Sequence, residues 1–141
     1  MIGKFDYIHS LDRLSLAEEL DKRSNGEKVR CFVQVNVSGE ESKAGIAPKD
    51  TLRFIQSLES YKSLEIVGLM TMAPFEADPE RTRPVFRGLR ELRDEIRSYQ
   101  MPAAPCEELS MGMSNDYHIA LQEGATFIRI GSALIGNDGD N

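Results

Sequence analysis

Glu108-Leu-Ser-Met-Gly-Met-Ser-Asn-Asp-Tyr117, followed a little further on by Thr126-Phe-Ile-Arg-Ile-Gly-Ser-Ala-Leu-Ile-Gly136, is the part of the chain that decides the fold. Each half reads as a short strand, a tight Gly/Ser turn and a helix start. Leu109 to Met111 is apolar with one serine, and Gly112 breaks it. The Ser114 hydroxyl suits an N-cap, so Asn115 to Glu123 is expected to be helical. Gly124 then falls where a left-handed C-terminal cap is wanted. Thr126 to Ile130 is β-branched and aromatic, as strands are, and Gly131-Ser132 is expected to open a second short helix.

Two such turns side by side make an anion site. Free backbone N–H groups and the positive ends of two helices would point to one place, and a phosphate is the guest that fits. In (β/α)8 barrels this site is built by the loops after the seventh and eighth strands with a short extra helix. Either turn alone is also what an ordinary strand-to-helix junction looks like. The pair, with Arg129 just before the second turn, favours the anion site.

Upstream the pattern repeats strand and helix. Phe5 to Ser10 reads as a strand turning at Leu11 to Arg13, and Leu14 to Arg23 places Leu16, Ala17 and Leu20 on one helical face. Val29 to Val37 alternates cleanly. Val29, Cys31, Val33, Val35 and Val37 share one side, and Arg30, Phe32, Gln34 and Asn36 the other. In a barrel wall the small apolar side would meet the helices, bringing Gln34 and Asn36 inside near the rim; a half-exposed strand with its polar side in water would alternate in the same way. The loop Ser38 to Gly45 lacks the Gly-Lys-Ser/Thr ending of a Walker A motif. Pro48 suits a first helical turn, with Leu52, Phe54, Ile55 and Leu58 behind it.

Leu64 to Met72 is the next strand. Gly68 inside it points to a close backbone or cofactor approach, or to a crowded barrel layer. Val85, Leu89, Leu92, Ile96 and Tyr99 form the stripe of a third helix, which starts at Asp78-Pro79 or at Pro84. The resulting order alternates five strands with helices, which implies parallel strands and helical crossovers. The expectation is an α/β chain holding strands four to eight of a (β/α)8 TIM barrel with outer helices. A closed barrel takes about 250 residues, and the chain has 141.

Composition excludes several classes. A net charge of -6 argues against general affinity for nucleic acid or an anionic membrane. Neither a membrane-length apolar run nor an apolar leader follows Met1. Cys31 and Cys106 lack metal or redox spacing. Cys31 falls in an apolar strand as an inert thiol, Cys106 follows Pro105 in a loop where it could be exposed, and a cytoplasmic setting is the expectation.

Five segments carry a resemblance: Ile8-His-Ser-Leu-Asp-Arg13, the Ser38 to Gly45 loop with Lys43, Gly68-Leu-Met-Thr-Met-Ala-Pro74, Leu109-Ser-Met-Gly-Met-Ser114 and Arg129-Ile-Gly-Ser-Ala-Leu-Ile-Gly136. Together they resemble the pyridoxal phosphate homeostasis proteins, relatives of the barrel domain of alanine racemase. The resemblance implies a barrel that binds pyridoxal 5′-phosphate and balances vitamin B6 and amino-acid pools without established turnover. It implies a cofactor site of Met113, Ser114, Arg129, Gly131 and Ser132, with the serines and glycine on the phosphate and Arg129 facing the pyridine nitrogen.

The family's Schiff-base lysine lies in an Ala-Val-Ser-Lys-like motif ending its first strand. None of Lys4, Lys22, Lys28, Lys43, Lys49 and Lys62 stands in such a motif. The expectation is therefore a C-terminal part of the domain, with the phosphate half of the site kept and the covalent half missing. The alternative is a fragment of an amino-acid racemase with the same cofactor, which needs a lysine base and a second acid or base such as Tyr117 or His118. Bare strand edges left by three missing strands would invite self-association.

Overall fold

The Val29 to Val37 alternation becomes β2 (Val29–Gln34), the second strand of a six-stranded sheet. The computed structural model describes residues 8–24, 27–37, 45–72, 78–112, 116–130 and 133–136. Around β2 run β1 (Ile8–Leu11), α1 (Leu14–Arg23), α2 (Pro48–Ser57), β3 (Leu64–Met70), α3 (Arg83–Arg97), β4 (Glu108–Ser110), α4 (Tyr117–Gln122), β5 (Phe127–Ile130) and β6 (Ala133–Gly136). The strands lie in the sheet in chain order, and β1 to β5 are parallel.

Sequential parallel strands need a crossover between each pair, and the helices supply it. Leu11, Val33, Leu69 and Leu109 are neighbours across four strands and all are buried in one apolar cluster. The same cluster takes Ala17 of α1, Ile55 of α2, Phe86 and Leu89 of α3 and Ile119 of α4. All four helices thus cover one face of the sheet. A doubly wound sheet would reverse its strand order and carry helices on both faces; this arrangement is that of a barrel wall.

Local signals account for most boundaries. Pro48 occupies the first turn of α2, where its missing N–H costs nothing. The two candidate starts of α3 are both used. The Asp78 carboxylate accepts from Glu80 N–H at 3.1 Å to begin a 3-10 turn over Pro79–Thr82, and Pro84 then sits in the first turn of α3 itself. Gly124 takes φ +103° just past α4, the left-handed cap expected of it.

Other expectations are corrected. Residues 133–136 form β6, antiparallel to β5 with Ile130 opposite Ala133, in place of the second short helix expected there; Gly131 and Ser132 lie outside the described residues. Among the described residues the sheet has six strands, and its last pair breaks the parallel rule. α4 begins at Tyr117 with Asp116 in the cap position, later than the Ser114-capped helix expected; Ser114 and Asn115 lie outside the described residues. The α3 stripe shifts as well. Phe86, Leu89 and Ile96 are fully buried, Val85 and Leu92 only partly, and Tyr99 is exposed because the helix ends at Arg97. Cys106 is fully buried rather than exposed, and burial pushes its thiol up to about 12, as it does for Cys31. Neither thiol is a nucleophile at neutral pH.

Candidate functional site at the strand ends

The carboxyl ends of the parallel strands are where a barrel wall builds its sites. With Leu11, Val33, Leu69 and Leu109 turned to the helices, alternation turns Ser10, Gln34, Met70 and Ser110 to the opposite face. Ser10 Oγ donates to Met70 Sδ at 3.4 Å, Gln34 is half-buried and Ser110 is buried. Gln34 thus lies near the rim on the inner face, as alternation suggested. Asn36 is half-buried just beyond the strand, and its N–H donates to Ile46 O at 2.9 Å.

Two threonines tie the strands together, Thr71 at this rim and Thr126 at the entry end of β5. Thr71 Oγ1 donates to Val35 O at 2.7 Å, while its N–H donates to Ser110 O at 3.1 Å, tying the ends of β2, β3 and β4 together. Thr126 Oγ1 accepts from Leu109 N–H at 2.9 Å and donates to Leu109 O at 3.1 Å, and its own N–H donates to the same carbonyl at 2.9 Å. Thr126 was visible only as the first residue of a β-branched run, and nothing in the sequence singled out Thr71.

The Thr126 clasp seats β5 beside β4, with Phe127 paired to Ser110. Because the two strands are parallel, the chain leaves both at the same rim. It leaves β4 through Gly112, whose φ of +103° is a left-handed conformation that a side chain would strain. Met113 and Ser114 follow it, and Gly131 and Ser132 follow β5; all four lie outside the described residues. The backbone of Arg129 lies in β5 opposite Leu134, and its side chain is also outside the described set. The described backbone places the exits of β4 and β5 on neighbouring strands, and among the described residues one helix, α4, follows where two are expected.

That helix, α4, is anchored from behind by a charge cluster that the sequence did not reveal. The Glu123 side chain, 4% exposed, meets Arg83 at 2.7 Å, Arg90 at 3.1 Å and Arg87 at 3.2 Å, all from α3. The hydrogen bond from Arg87 holds the Glu123 carboxyl below its ordinary 4.5; burial pushes the other way, and Arg83 adds to the lowering. The arginines were legible only as a charged helix face.

Tyr117 and His118 are exposed at the start of α4, ring against ring edge-on at 5.8 Å, and their burial does not mark them as an acid–base pair. Lys28 and Lys62 precede β2 and β3 at the opposite end of the sheet, and Lys22 is paired with Glu18 on α1. Lys49, in the first turn of α2, is exposed. Lys4 and Lys43 lie outside the described residues. Among the described residues no helix is long and apolar enough to cross a membrane.

The profile of the family described as "Alanine racemase, N-terminal domain" matches residues 5–138. A pyridoxal phosphate homeostasis protein of Aquifex aeolicus is 44% identical over 138 residues, covering 96% of this chain and 60% of the relative. The human protein of the same name is 36% identical over 136 residues, covering 92% of this chain and 49% of that protein. The structure of PipY from Synechococcus elongatus with PLP bound superposes with a TM-score of 0.74 at 34% identity, covering 89% of this chain and 58% of PipY. The chain thus spans between 49% and 60% of the length of these relatives.

Proposed function

This chain belongs to the alanine racemase N-terminal domain family, and from that membership we propose that it binds pyridoxal 5′-phosphate and serves vitamin B6 and amino-acid homeostasis in the cytoplasm, without turnover of its own. In this reading β1 to β5 are strands four to eight of a (β/α)8 barrel, and residues 1–141 are the C-terminal portion of that domain. The observation that carries it is the parallel pairing of β4 with β5, clasped by Thr126, with a left-handed glycine at the exit of β4. Two adjacent turns at one rim suit a phosphate ester, and the PLP-bound relative supports the choice of ester.

Met113 and Ser114 would hold the phosphate from the β4 side, and Gly131 and Ser132 from the β5 side. Arg129, alternating with Ile128 and Ile130, would present its guanidinium to the pyridine nitrogen. When bound, the cofactor supplies an aldehyde and an electron-accepting ring. A guanidinium stays protonated in proteins and cannot take a further proton, so it would donate to the ring nitrogen and keep that atom unprotonated. This weakens the ring as an electron sink and favours holding over broad catalysis.

Calorimetric titration with pyridoxal 5′-phosphate is expected to show one site, with no lysine adduct trapped by borohydride. Ser114→Ala and Arg129→Ala are each expected to weaken binding by about tenfold or more, the worth of a charge-assisted hydrogen bond. Binding indifferent to both substitutions, or no binding at all, would sink the reading.

A second reading, self-association, is favoured by the place of β1 at one end of the sheet, where its outer edge has no partner strand among the described residues. Strand edges of this kind recruit other chains. Sedimentation at micromolar concentration is expected to show dimers or larger species, and a clean monomer would rule it out.

A further inference from the structure

We propose that Gln34 and Ser110, standing on either side of Met70, form a subsite that reads the uncharged polar groups on the ring of the bound cofactor. The inference rests on the cofactor reading above and concerns the ring rather than the phosphate. Gln34, Met70 and Ser110 are register partners on β2, β3 and β4, so they stand in a row at the exit end of the inner face. Neighbouring strands lie about 4.8 Å apart, which puts the two ends of the row about 10 Å from each other.

Both ends carry polar groups that the fold does not use. Among the described residues neither the Gln34 amide nor the Ser110 hydroxyl has a hydrogen-bond partner. Gln34 is half-buried and Ser110 is 4% exposed, and polar side chains so far from solvent are normally paired. No fully buried side-chain nitrogen or oxygen among the described residues is left unpaired. The Ser110 hydroxyl therefore reaches open space, and alternation directs it to the inner face. The neighbouring hydroxyls differ. Ser10 Oγ is bonded to Met70 Sδ and Thr71 Oγ1 to Val35 O.

Between the two polar groups lies a thioether floor. Met70 is 3% exposed, and the bond from Ser10 at 3.4 Å fixes its sulfur. Met72, two residues further along, is an apolar side chain left 41% exposed at the rim. Thioethers make favourable contacts with aromatic rings and adapt to their shape. The charged residues Arg30, Glu65 and Glu108 stand at the entry ends of the same strands, away from this row. An amide, a thioether and a hydroxyl in line suit a flat ring with uncharged groups at its edge. The ring of pyridoxal 5′-phosphate carries a hydroxyl and an aldehyde, and an amide or a hydroxyl can meet either one.

The test removes each polar group in turn. Gln34→Leu and Ser110→Ala are each expected to weaken pyridoxal 5′-phosphate binding about fivefold in calorimetric titration, the contribution of one neutral hydrogen bond. Pyridoxal, which has the ring and lacks the phosphate, is expected to bind the parent more weakly and to lose the same factor in each variant. Parental affinity for the ester in either variant overturns the subsite and leaves the cofactor reading standing. So does a parent that takes the ester but not pyridoxal, because the phosphate then does all the holding. A parent that binds neither ligand overturns both readings.

The urea midpoint separates recognition from folding. Ser110→Ala removes a hydroxyl that bonds nothing among the described residues, so its midpoint is expected to match that of the parent. A clearly lowered midpoint would reveal a structural bond at Ser110 and overturn the assignment.

Discussion

Gly68→Ala is expected to prevent the sheet from closing between β3 and β4. A Cβ at this position would lie 2.1 Å from Glu108 O and 2.6 Å from the carbonyl carbon of the same residue. Those are backbone atoms of the neighbouring strand, paired with Gly68 itself, and they cannot rotate away. The cause is local to the sequence of pairings. Cys31 pairs with Ile66 but Phe32 pairs with Gly68, so β3 carries one extra residue, and the irregularity brings β4 close just beyond it. Overpacking in a well-filled interior typically costs about 1–3 kcal/mol, and a clash with fixed backbone belongs at or above the top of that range. Against a typical total stability of about 5–15 kcal/mol, the variant should be largely insoluble or melt far below the parent. A urea midpoint equal to the parent's would contradict the assignment.

Gly88→Ala is the control that makes this a statement about backbone. There the nearest atom to an added Cβ is Val37 Cγ1 at 3.1 Å, a side-chain methyl that can shift by a few tenths of an ångström. Gly88 also lies inside α3, where alanine is favoured over glycine by about 1 kcal/mol. The two effects nearly cancel, so Gly88→Ala should leave the urea midpoint close to that of the parent.

Glu123→Gln is expected to destabilise the chain by about 2 kcal/mol, because the amide keeps the shape but gives up charge-assisted bonds to three arginines. Partial solvent access of the arginines keeps the loss moderate, since they regain water when the carboxylate goes. The same carboxylate gives a pH dependence of definite sign. Its folded-state pKa lies below the ordinary 4.5, so its contribution is complete above that value and disappears as pH falls through the lower folded-state value. The parent should therefore lose stability on acidification in that window more steeply than Glu123→Gln. Parallel urea-midpoint curves for the two proteins between neutral pH and pH 3 would remove Glu123 from the account. The consequence reaches the rim, because Glu123 caps the end of α4, and α4 follows the turn expected to hold the phosphate.

Periodicity alone determined most of the wall: the valine alternation of β2, the prolines that start α2 and α3, and the glycine that ends α4 are decided within a few residues of themselves. Local chemistry also marked Gly112, which leaves β4 at a φ of +103° that a side chain would strain. Tertiary structure decided what depends on distant partners. Cys106 follows a proline in a loop, yet it is buried because its N–H donates to Ile66 O at 3.0 Å and draws the loop against β3. Thr71, Thr126 and Glu123 acquired their roles from atoms far away in sequence. Residues 133–136, expected in a short helix, lie instead along the edge of β5, where the backbone of that pairing partner meets theirs.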